Sequence, residues 1–249
     1  KVSPTIAVAI AELKNAWKGE PVLLEKKMTG QGDGFAITSS EHQGRILSST
    51  EAGLLYGVYC LLRMQAAGQV TVPLSVTEQP VYDLRILNHW DNPDGTVERG
   101  YAGRSLWNWE ELPGTLSPRY EAYARANASV GINGTVLNNV NASPQVLTTG
   151  SLEKVKALAD VFRSYGIKVY LSVNFASPIR LGKLDTADPL DKEVIGWWKQ
   201  KVKEIYAMIP DFGGFLVKAN SEGQPGPCDF GRTHAEGANM LADALKPYG

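Results

Sequence analysis

Apolar positions in the first eighty residues follow two helical patterns separated by short strand-like runs. The helical patterns cover residues 4–17 and 51–67, and Gly68 ends the second one. Three apolar runs between them are bounded by glycines, and they lie at residues 22–24, 35–38 and 45–48. Short strands beside amphipathic helices predict a small α+β domain over residues 1–80, with the polar, proline-containing stretch 76–81 as its boundary.

From residue 83 onward the pattern changes to alternating strands and helices. The strand-like runs are residues 84–87, 132–137, 167–173 and 214–217. The helical patterns that follow them are residues 118–130, 152–162, 194–208 and 235–245. Four strand–helix units in succession predict a parallel sheet and an α/β fold. Because a (β/α)8 barrel needs eight units, we expect residues 81–249 to form the first four units of a truncated TIM barrel, with an open sheet as the alternative.

Composition and charge argue against several classes of protein. The 249 residues include 25 basic and 26 acidic side chains, and this net charge of −1 argues against nucleic-acid binding. No apolar run is long enough to span a membrane and no signal peptide is visible, so cytoplasmic, periplasmic and extracellular locations all stay open. No GxGxxG or GxxxxGKS/T motif opens a predicted helix, so no nucleotide cofactor is expected. The chain has two cysteines, Cys60 and Cys228, and three histidines, and these residues are far apart in sequence. We therefore expect neither a disulfide scaffold nor a metal site.

The fourth strand leads into a loop that carries a cation and a carboxylic acid. Lys218 and Glu222 follow the run 214–217 in a segment dense in glycine and proline, which fixes backbone angles and lets a ligand approach closely. Parallel α/β folds place their sites at the carboxyl ends of strands, so Glu222 could act as a general acid. Lys218 could bind a substrate carboxylate or set the protonation state of Glu222. A solvated lysine and a helix-capping carboxylate are the alternative interpretations.

Aromatic and amide side chains follow the earlier strands. Trp90 comes after the first strand, where an indole face could stack on a pyranose ring, although a tryptophan that closes the top of a barrel fits the pattern as well. The neighbouring His89 is, by itself, more often a hydrogen-bonded structural residue than a catalyst. Amides at the ends of the second and third strands suit a hydroxyl-rich ligand, and they are Asn138, Asn139, Asn141 and Asn174.

Four long segments of the chain have an unusual sequence: HWDNPDGTVERGYAGRSLW (residues 89–107), YARANASVGINGTVLNNVNA (123–142), KVYLSVNFASPIRLGKLDTADPLD (168–191) and FLVKANSEGQPGP (215–227). These segments resemble the family 67 α-glucuronidases. The resemblance covers nearly all of residues 80–249, and EAGLLYGVYCLLR (51–63) resembles the accessory α+β domain that precedes the barrel in that family. It implies an inverting hydrolase that removes α-1,2-linked 4-O-methylglucuronic acid from xylo-oligosaccharides in xylan degradation.

The resemblance also implies roles for individual residues. Glu222 would be the general acid that protonates the leaving xylose oxygen, and Lys218 would bind the uronate carboxylate. Trp90 would line the sugar site, and Val140 would face the 4-O-methyl group. Asn174 and His89 are further substrate-binding candidates, chosen for their positions after the third and first strands and not from the resemblance.

Inversion requires a second carboxylate as base, about 6.5–9.5 Å from the acid. In the family, later strands than this chain contains supply this base and an arginine that also binds the uronate. Within this chain, Asp91 and Asp94 are weak candidates to replace the base. We therefore expect the chain alone to have little hydrolytic activity. We expect the full-length protein to bind glucuronoxylan-derived oligosaccharides and to pair with a second copy of itself. We expect it to bind neither nucleic acid nor a membrane. Two alternatives are a Schiff-base lyase that uses Lys218 and a non-catalytic uronate-binding module.

Overall fold

The computed structural model describes residues 2–27, 32–141, 143–220 and 225–249. The chain divides into two compact units, each assembled from segments that are separate in sequence. The first comprises residues up to Ile86, Pro118–Asn133 and Val161–Ile167, and the second comprises Leu87–Ser117, Gly134–Asp160 and Lys168–Gly249. The division of the sequence into domains at residues 1–80 and 81–249 stays a prediction.

The first unit combines helices with a mixed sheet. Its helices are α1 (Pro4–Ala16), α2 (Glu51–Ala66) and α3 (Pro118–Ser129). Its strands are β1 (Val22–Lys26), β2 (Phe35–Ser39), β3 (Gly44–Ser48) and β4 (Leu74–Glu78). The strand order is β1–β3–β2–β4, in which β1 and β3 are parallel and β2 is antiparallel to both of its neighbours.

Local sequence explains where α2 begins and how closely it packs. Thr50 Oγ1 accepts a hydrogen bond from the Gly53 N–H at 2.9 Å, which satisfies one of the unpaired donors at the start of the helix. A β-carbon at Gly57 would lie 2.5 Å from Cγ2 of Ile46, so the absence of a side chain lets α2 approach β3. The helices predicted at residues 4–17 and 51–67 are confirmed to within one residue at each end.

The segment expected to be a linker, residues 76–81, is a strand in its first half. β4 pairs with β2 from Leu74 opposite Ser39 to Glu78 opposite Phe35. Leu74 is the buried residue of β4, and its other side chains are half-buried or exposed. Backbone hydrogen bonds at the edge of the sheet therefore hold this strand, and a search for apolar runs does not detect it.

The second sheet is built from strands that alternate with helices. Its strands are β5 (Ile86–Asn88), β6 (Gly134–Val136), β7 (Lys168–Asn174) and β8 (Gly214–Lys218). The helices along this part of the chain are α4 (Thr149–Arg163), α5 (Ser177–Arg180), α6 (Lys192–Met208) and α7 (His234–Leu245). The order β5–β6–β7–β8 follows the sequence, and β7 is parallel to both β6 and β8. The predicted α/β fold is confirmed at this level.

The first strand of this sheet starts two residues later than predicted and ends one residue later. Leu84 was expected to begin the strand but is 67% exposed, and β5 starts at Ile86. The α5 turn was not predicted either, since four residues are too few to show a helical period. Within the described ranges, none of the helices has both the length and the apolar character needed to cross a bilayer.

The packing of α6 shows which face of the second sheet each side chain occupies. Phe215 of β8 meets the buried Trp198 of α6 edge to face, with ring centroids 5.8 Å apart. Side chains alternate along a strand, so Lys218 lies on the face opposite Phe215. Asn174 is the register partner of Lys218 in the β7–β8 ladder, and both side chains therefore lie on that face.

Candidate active site

Lys218 ends β8 and is hydrogen-bonded to an amide side chain of another loop. Its Nζ lies 2.5 Å from Oδ1 of Asn141, which belongs to the turn after β6. The contact joins residues 77 positions apart in sequence and so brings the ends of β6 and β8 together. An amide oxygen is a neutral acceptor, so this bond orients the ammonium without cancelling its charge. Whether the ammonium binds a carboxylate stays a prediction.

Hydrogen bonds from the loop after β5 fix the turn that carries Asn141. The Asn141 N–H donates to Oδ1 of Asn139 at 2.9 Å, and Asn139 is buried. Asn139 Nδ2 donates to the Glu98 carbonyl at 3.0 Å, and its N–H donates to the Asp91 carbonyl at 2.9 Å. Val140, the residue predicted to face the 4-O-methyl group, is half-buried in the same turn. The position of the turn is therefore set by the loop that follows β5.

Asn138 and Asn174 direct amide groups to the backbone. Oδ1 of the fully buried Asn138 accepts from the Ser172 N–H at 2.8 Å, and its Nδ2 donates to the Ser172 carbonyl at 2.9 Å. The side chain thereby extends the hydrogen-bond ladder between β6 and β7 beyond Val136. Oδ1 of Asn174 accepts from the Ala176 N–H at 2.8 Å, which stabilises the turn after β7. Asn138, Asn139 and Asn174 are all buried. The amide groups of Asn138 and Asn139 are used within the protein, so the expectation that these amides suit a hydroxyl-rich ligand fails for those two residues.

His89 and Trp90 follow β5 but differ in exposure. The His89 ring meets Trp107 edge to face at 5.5 Å, and its Nδ1 lies 3.9 Å from Oδ1 of Asp91. Burial lowers the pKa of His89, although the nearby carboxylate of Asp91 opposes the shift. The neutral imidazole is therefore favoured, which suits hydrogen bonding better than proton donation. Trp90 is 37% exposed, so part of its indole is accessible to a ligand.

The two aspartates considered as substitute bases serve their own loop. Oδ2 of the buried Asp91 accepts from Ser105 Oγ at 2.8 Å and from the Leu106 N–H at 2.7 Å. Oδ1 of Asp94 accepts from both the hydroxyl and the N–H of Thr96, at 2.6 and 2.9 Å. These hydrogen bonds lower the pKa of Asp94. Both carboxylates are thus explained as loop-stabilising groups.

Glu222 lies outside the described residues, and the structure describes the two ends of its loop. Asp229 Oδ2 accepts from Asn220 Nδ2 and, at 2.8 Å, from the Gly226 N–H. Asn220 Oδ1 also accepts from the Cys228 N–H at 3.0 Å. A β-carbon at Gly226 would lie 2.6 Å from the Asn220 nitrogen, so glycine permits this close approach. Residues on either side of 221–224 are therefore tied together, directly after Lys218.

Sequence reasoning did not identify the pair Asn220 and Asp229, although both leave a signal. Asp229 is the third residue of the 3-10 turn Pro227–Phe230, a position at which a carboxylate accepts from the backbone at the start of the turn. Asn220 has a φ of 35°, in the region that asparagine tolerates better than most residues. Neither signal indicates which two loop ends are joined.

The cysteines and histidines do not assemble into a metal site in the part of the chain that the structure describes. Both cysteines are free, and Cys228 Sγ lies 3.2 Å from Nε2 of His234 at the surface. Across the described residues, no three or more histidine, cysteine, aspartate and glutamate side chains are placed to hold a metal ion.

Several solved glycoside hydrolases share this fold. A GH138 enzyme targeting pectin rhamnogalacturonan II has a TM-score of 0.62 at 15% identity, over 100% of this chain and 36% of that one. A GH115 4-O-methyl-α-glucuronidase with specificity for decorated arabinogalactans has a TM-score of 0.60 at 12% identity, over 99% of this chain and 39% of that one. At such identities the likeness defines the fold alone, an α/β fold found in glycoside hydrolases.

The sequence comparison identifies the family. Residues 64–249 match the sequence model of the "Glycosyl hydrolase family 67 middle domain". The chain belongs to glycosyl hydrolase family 67.

The similar curated proteins are named as α-glucuronidases. "Probable alpha-glucuronidase A" of Aspergillus fumigatus is 48% identical over 217 residues, and that of Neosartorya fischeri is 49% identical over 218. "Alpha-glucuronidase A" of Emericella nidulans is 45% identical over 222 residues. Each match covers 87% of this chain and 26% of the relative, so the chain spans about a quarter of their length.

Proposed function

We propose that this chain forms part of an α-glucuronidase, an inverting hydrolase that removes 4-O-methylglucuronic acid from glucuronoxylan-derived xylo-oligosaccharides. Family membership and the names of the relatives support the reaction class. The observation that carries the proposal is the placement of Lys218, whose ammonium is held at the carboxyl end of β8 by a neutral acceptor. A fixed cation at a strand end suits a sugar that carries a carboxylate.

The proposal includes a barrel architecture. The order β5–β6–β7–β8 is sequential, and the β6–β7 and β7–β8 pairs are parallel, as in the first half of a (β/α)8 barrel. Polar side chains gather at the carboxyl ends of these strands, which is where such barrels place their active sites. In this architecture residues 81–249 contribute to the catalytic barrel, and residues 1–80 form the accessory domain.

Within this site, each substrate-binding candidate has a proposed contact. Lys218 binds the uronate carboxylate, and the exposed part of the Trp90 indole packs on a sugar ring. Val140 faces the 4-O-methyl group. Asn174, on the same face as Lys218, and the neutral imidazole of His89 offer hydrogen bonds to sugar hydroxyls.

Glu222 is the proposed general acid, which protonates the xylose oxygen as the glycosidic bond breaks. The tie between Asn220 and Asp229 supports this role indirectly, because it fixes both ends of the acid's loop close to Lys218. Water then attacks from the opposite face with the help of a second carboxylate, about 6.5–9.5 Å away. Asp91 and Asp94 are tied to their own loop, so neither is assigned this part.

A chimaera tests the proposal in an intact enzyme. In it, this chain replaces the matched segment of alpha-glucuronidase A from Emericella nidulans, and release of 4-O-methylglucuronic acid from xylo-oligosaccharides is measured. Lys218→Met should lower kcat/KM about 10- to 150-fold, which corresponds to one charge-assisted contact of about 1.5–3 kcal/mol. The matched control is Lys168→Met, at the exposed amino end of β7, which should keep full activity. Equal activity of both variants would contradict the proposed role of Lys218.

Two further measurements separate the alternative functions. A Schiff-base lyase would form a borohydride-trapped adduct between Lys218 and a carbonyl substrate, whereas a glycosidase of this kind forms none. If the chain were a non-catalytic uronate-binding module, it would bind glucuronic acid through Lys218. The chimaera would then show no turnover.

A further inference from the structure

We propose that Tyr101 binds the neutral xylose chain of the substrate, next to the site that holds its acidic sugar. This inference rests on the proposed function, in which Lys218 binds the uronate carboxylate. The observation behind it is an exposed aromatic side chain in the loop that follows β5. Tyr101 is 74% exposed, whereas Trp107 and Trp109, which follow it along the chain, are buried.

Tyr101 lies in a loop tip, residues 99–104, whose members are all exposed. At the base of the loop tip, Thr96 and Arg104 form an antiparallel bridge, and the Ser105 N–H donates to the Gly95 carbonyl at 2.9 Å. Among the described residues, none makes a ring contact with the Tyr101 side chain or a hydrogen bond with its hydroxyl. The base of the loop tip is therefore fixed, while the aromatic ring is open to a ligand.

Glu98 sets the direction in which the loop tip leaves its base. Its φ of 59° lies in the left-handed region, which is uncommon for a residue other than glycine. Its N–H donates to the Trp90 carbonyl at 2.9 Å, and its carbonyl accepts from Asn92 Nδ2 at 2.8 Å and from Asn139 Nδ2 at 3.0 Å. Three hydrogen bonds thus hold a strained residue in place. Such strain is concentrated at functional sites and ligand clamps.

The same hydrogen bonds place the loop tip beside the proposed uronate site. Oδ1 of Asn139 accepts from the Asn141 N–H at 2.9 Å, and Oδ1 of Asn141 lies 2.5 Å from Nζ of Lys218. Tyr101 follows Glu98 by three residues, so the two Cα atoms lie at most about 11 Å apart. An oligosaccharide bound at Lys218 can therefore reach Tyr101.

The chemistry of an aromatic ring favours the neutral part of the substrate. An aromatic face packs against the C–H groups of a sugar and offers no positive charge to a carboxylate. Xylose has no hydroxymethyl group, so both faces of its ring are open to such packing. The glucuronic acid is a side group of the xylose chain, so the chain itself has to lie outside the uronate site. Tyr101 therefore suits the chain rather than the acidic sugar.

The test uses the Emericella nidulans chimaera and two substrates that differ in their leaving group. A 4-O-methylglucuronosyl xylo-oligosaccharide contains the xylose chain, and α-D-glucuronyl fluoride lacks it. The variants are Tyr101→Ala, Tyr101→Phe, Lys218→Met and the control Tyr82→Ala, which removes another tyrosine that is 74% exposed. The measured quantity is kcat/KM of each variant on each substrate, relative to the unsubstituted chimaera.

Tyr101→Ala should lower kcat/KM about 3- to 10-fold on the oligosaccharide and leave it unchanged on the fluoride. Tyr101→Phe keeps the aromatic face and should retain full activity on both substrates, as should Tyr82→Ala. Lys218→Met should lower kcat/KM on both substrates, because both carry the uronate.

Equal losses on both substrates in Tyr101→Ala would show that the side chain only supports its loop, and this result would overturn the inference. Full activity of Tyr101→Ala on the oligosaccharide would overturn it as well. With Lys218→Met still impaired, either result would leave the proposed function intact. If Lys218→Met kept full activity on both substrates, the proposed role of Lys218 would be wrong, whereas a loss in Tyr101→Ala confined to the oligosaccharide would still identify Tyr101 as a residue that binds the xylose chain.

Discussion

The amide of Asn138 supports a sharp prediction about stability, because it acts as an extra rung of the ladder between β6 and β7. It is fully buried and bonds both backbone groups of Ser172, at 2.8 and 2.9 Å. In a parallel strand the N–H and C=O of one residue point to the same side, so Asn138→Ala leaves both groups of Ser172 without this partner. An unsatisfied buried group costs about 1–3 kcal/mol, and two such groups predict a loss of about 2–6 kcal/mol in the free energy of unfolding.

The assay combines denaturant unfolding, followed by tryptophan fluorescence, with hydrogen exchange at the Ser172 amide. Asn138→Ala should lower the unfolding midpoint and speed exchange at Ser172. The same substitution at the exposed Asn239 is the control, and it should change stability by less than about 0.5 kcal/mol. A loss below about 1 kcal/mol in Asn138→Ala, together with unchanged exchange at Ser172, would refute the reasoning.

Three further predictions concern ionised groups and activity. Glu12→Gln should destabilise the first unit by about 1–2 kcal/mol in thermal unfolding, because Glu12 accepts from Arg125 at 2.5 and 2.7 Å; an unchanged transition would contradict this. The hydrogen-bonded ion pair with Arg232 lowers the pKa of Asp188 in the folded state. The pair stabilises the fold at a pH above the pKa that Asp188 has in the unfolded chain. This stabilisation is lost as the pH falls through the lower pKa of the folded state. The midpoints of the parent chain and Asp188→Asn should therefore converge in acid, whereas a pH-independent difference would exclude this coupling. The 249-residue chain alone should hydrolyse aldouronic acids far more slowly than the chimaera, and comparable rates would disprove this expectation.

Periodicity predicted the long elements well because each buries a continuous apolar face. The apolar residues of α2 and α6, and those in the buried run of β7, carry this signal. β4 escaped detection because its stability comes from pairing with β2 rather than from burial. The start of β5 was misplaced because Leu84 is apolar and yet exposed, and an apolar residue does not by itself fix the first paired position.

The candidate site was only partly predictable for a related reason. The sequence places Lys218 and four asparagines after strands, but it does not show which amides turn inward. Asn138 and Asn139 bond the backbone, whereas Asn141 meets a lysine 77 residues away. Such choices depend on which loops lie side by side, and this follows from strand order and register. Sequence resemblance supplied the roles of Glu222 and Val140, for which the chemistry of the residue type alone gives no unique answer.

The most direct test of the central claim, an acid at position 222 acting beside a uronate-binding lysine, is leaving-group dependence in the chimaera. Glu222→Gln removes the proton donor, and its rates are compared on a 4-O-methylglucuronosyl xylo-oligosaccharide and on α-D-glucuronyl fluoride, whose fluoride needs little protonation to leave. We predict a loss of about 10²- to 10⁴-fold on the oligosaccharide and a small change on the fluoride. Equal losses on both substrates, or full activity on the oligosaccharide, would contradict the account.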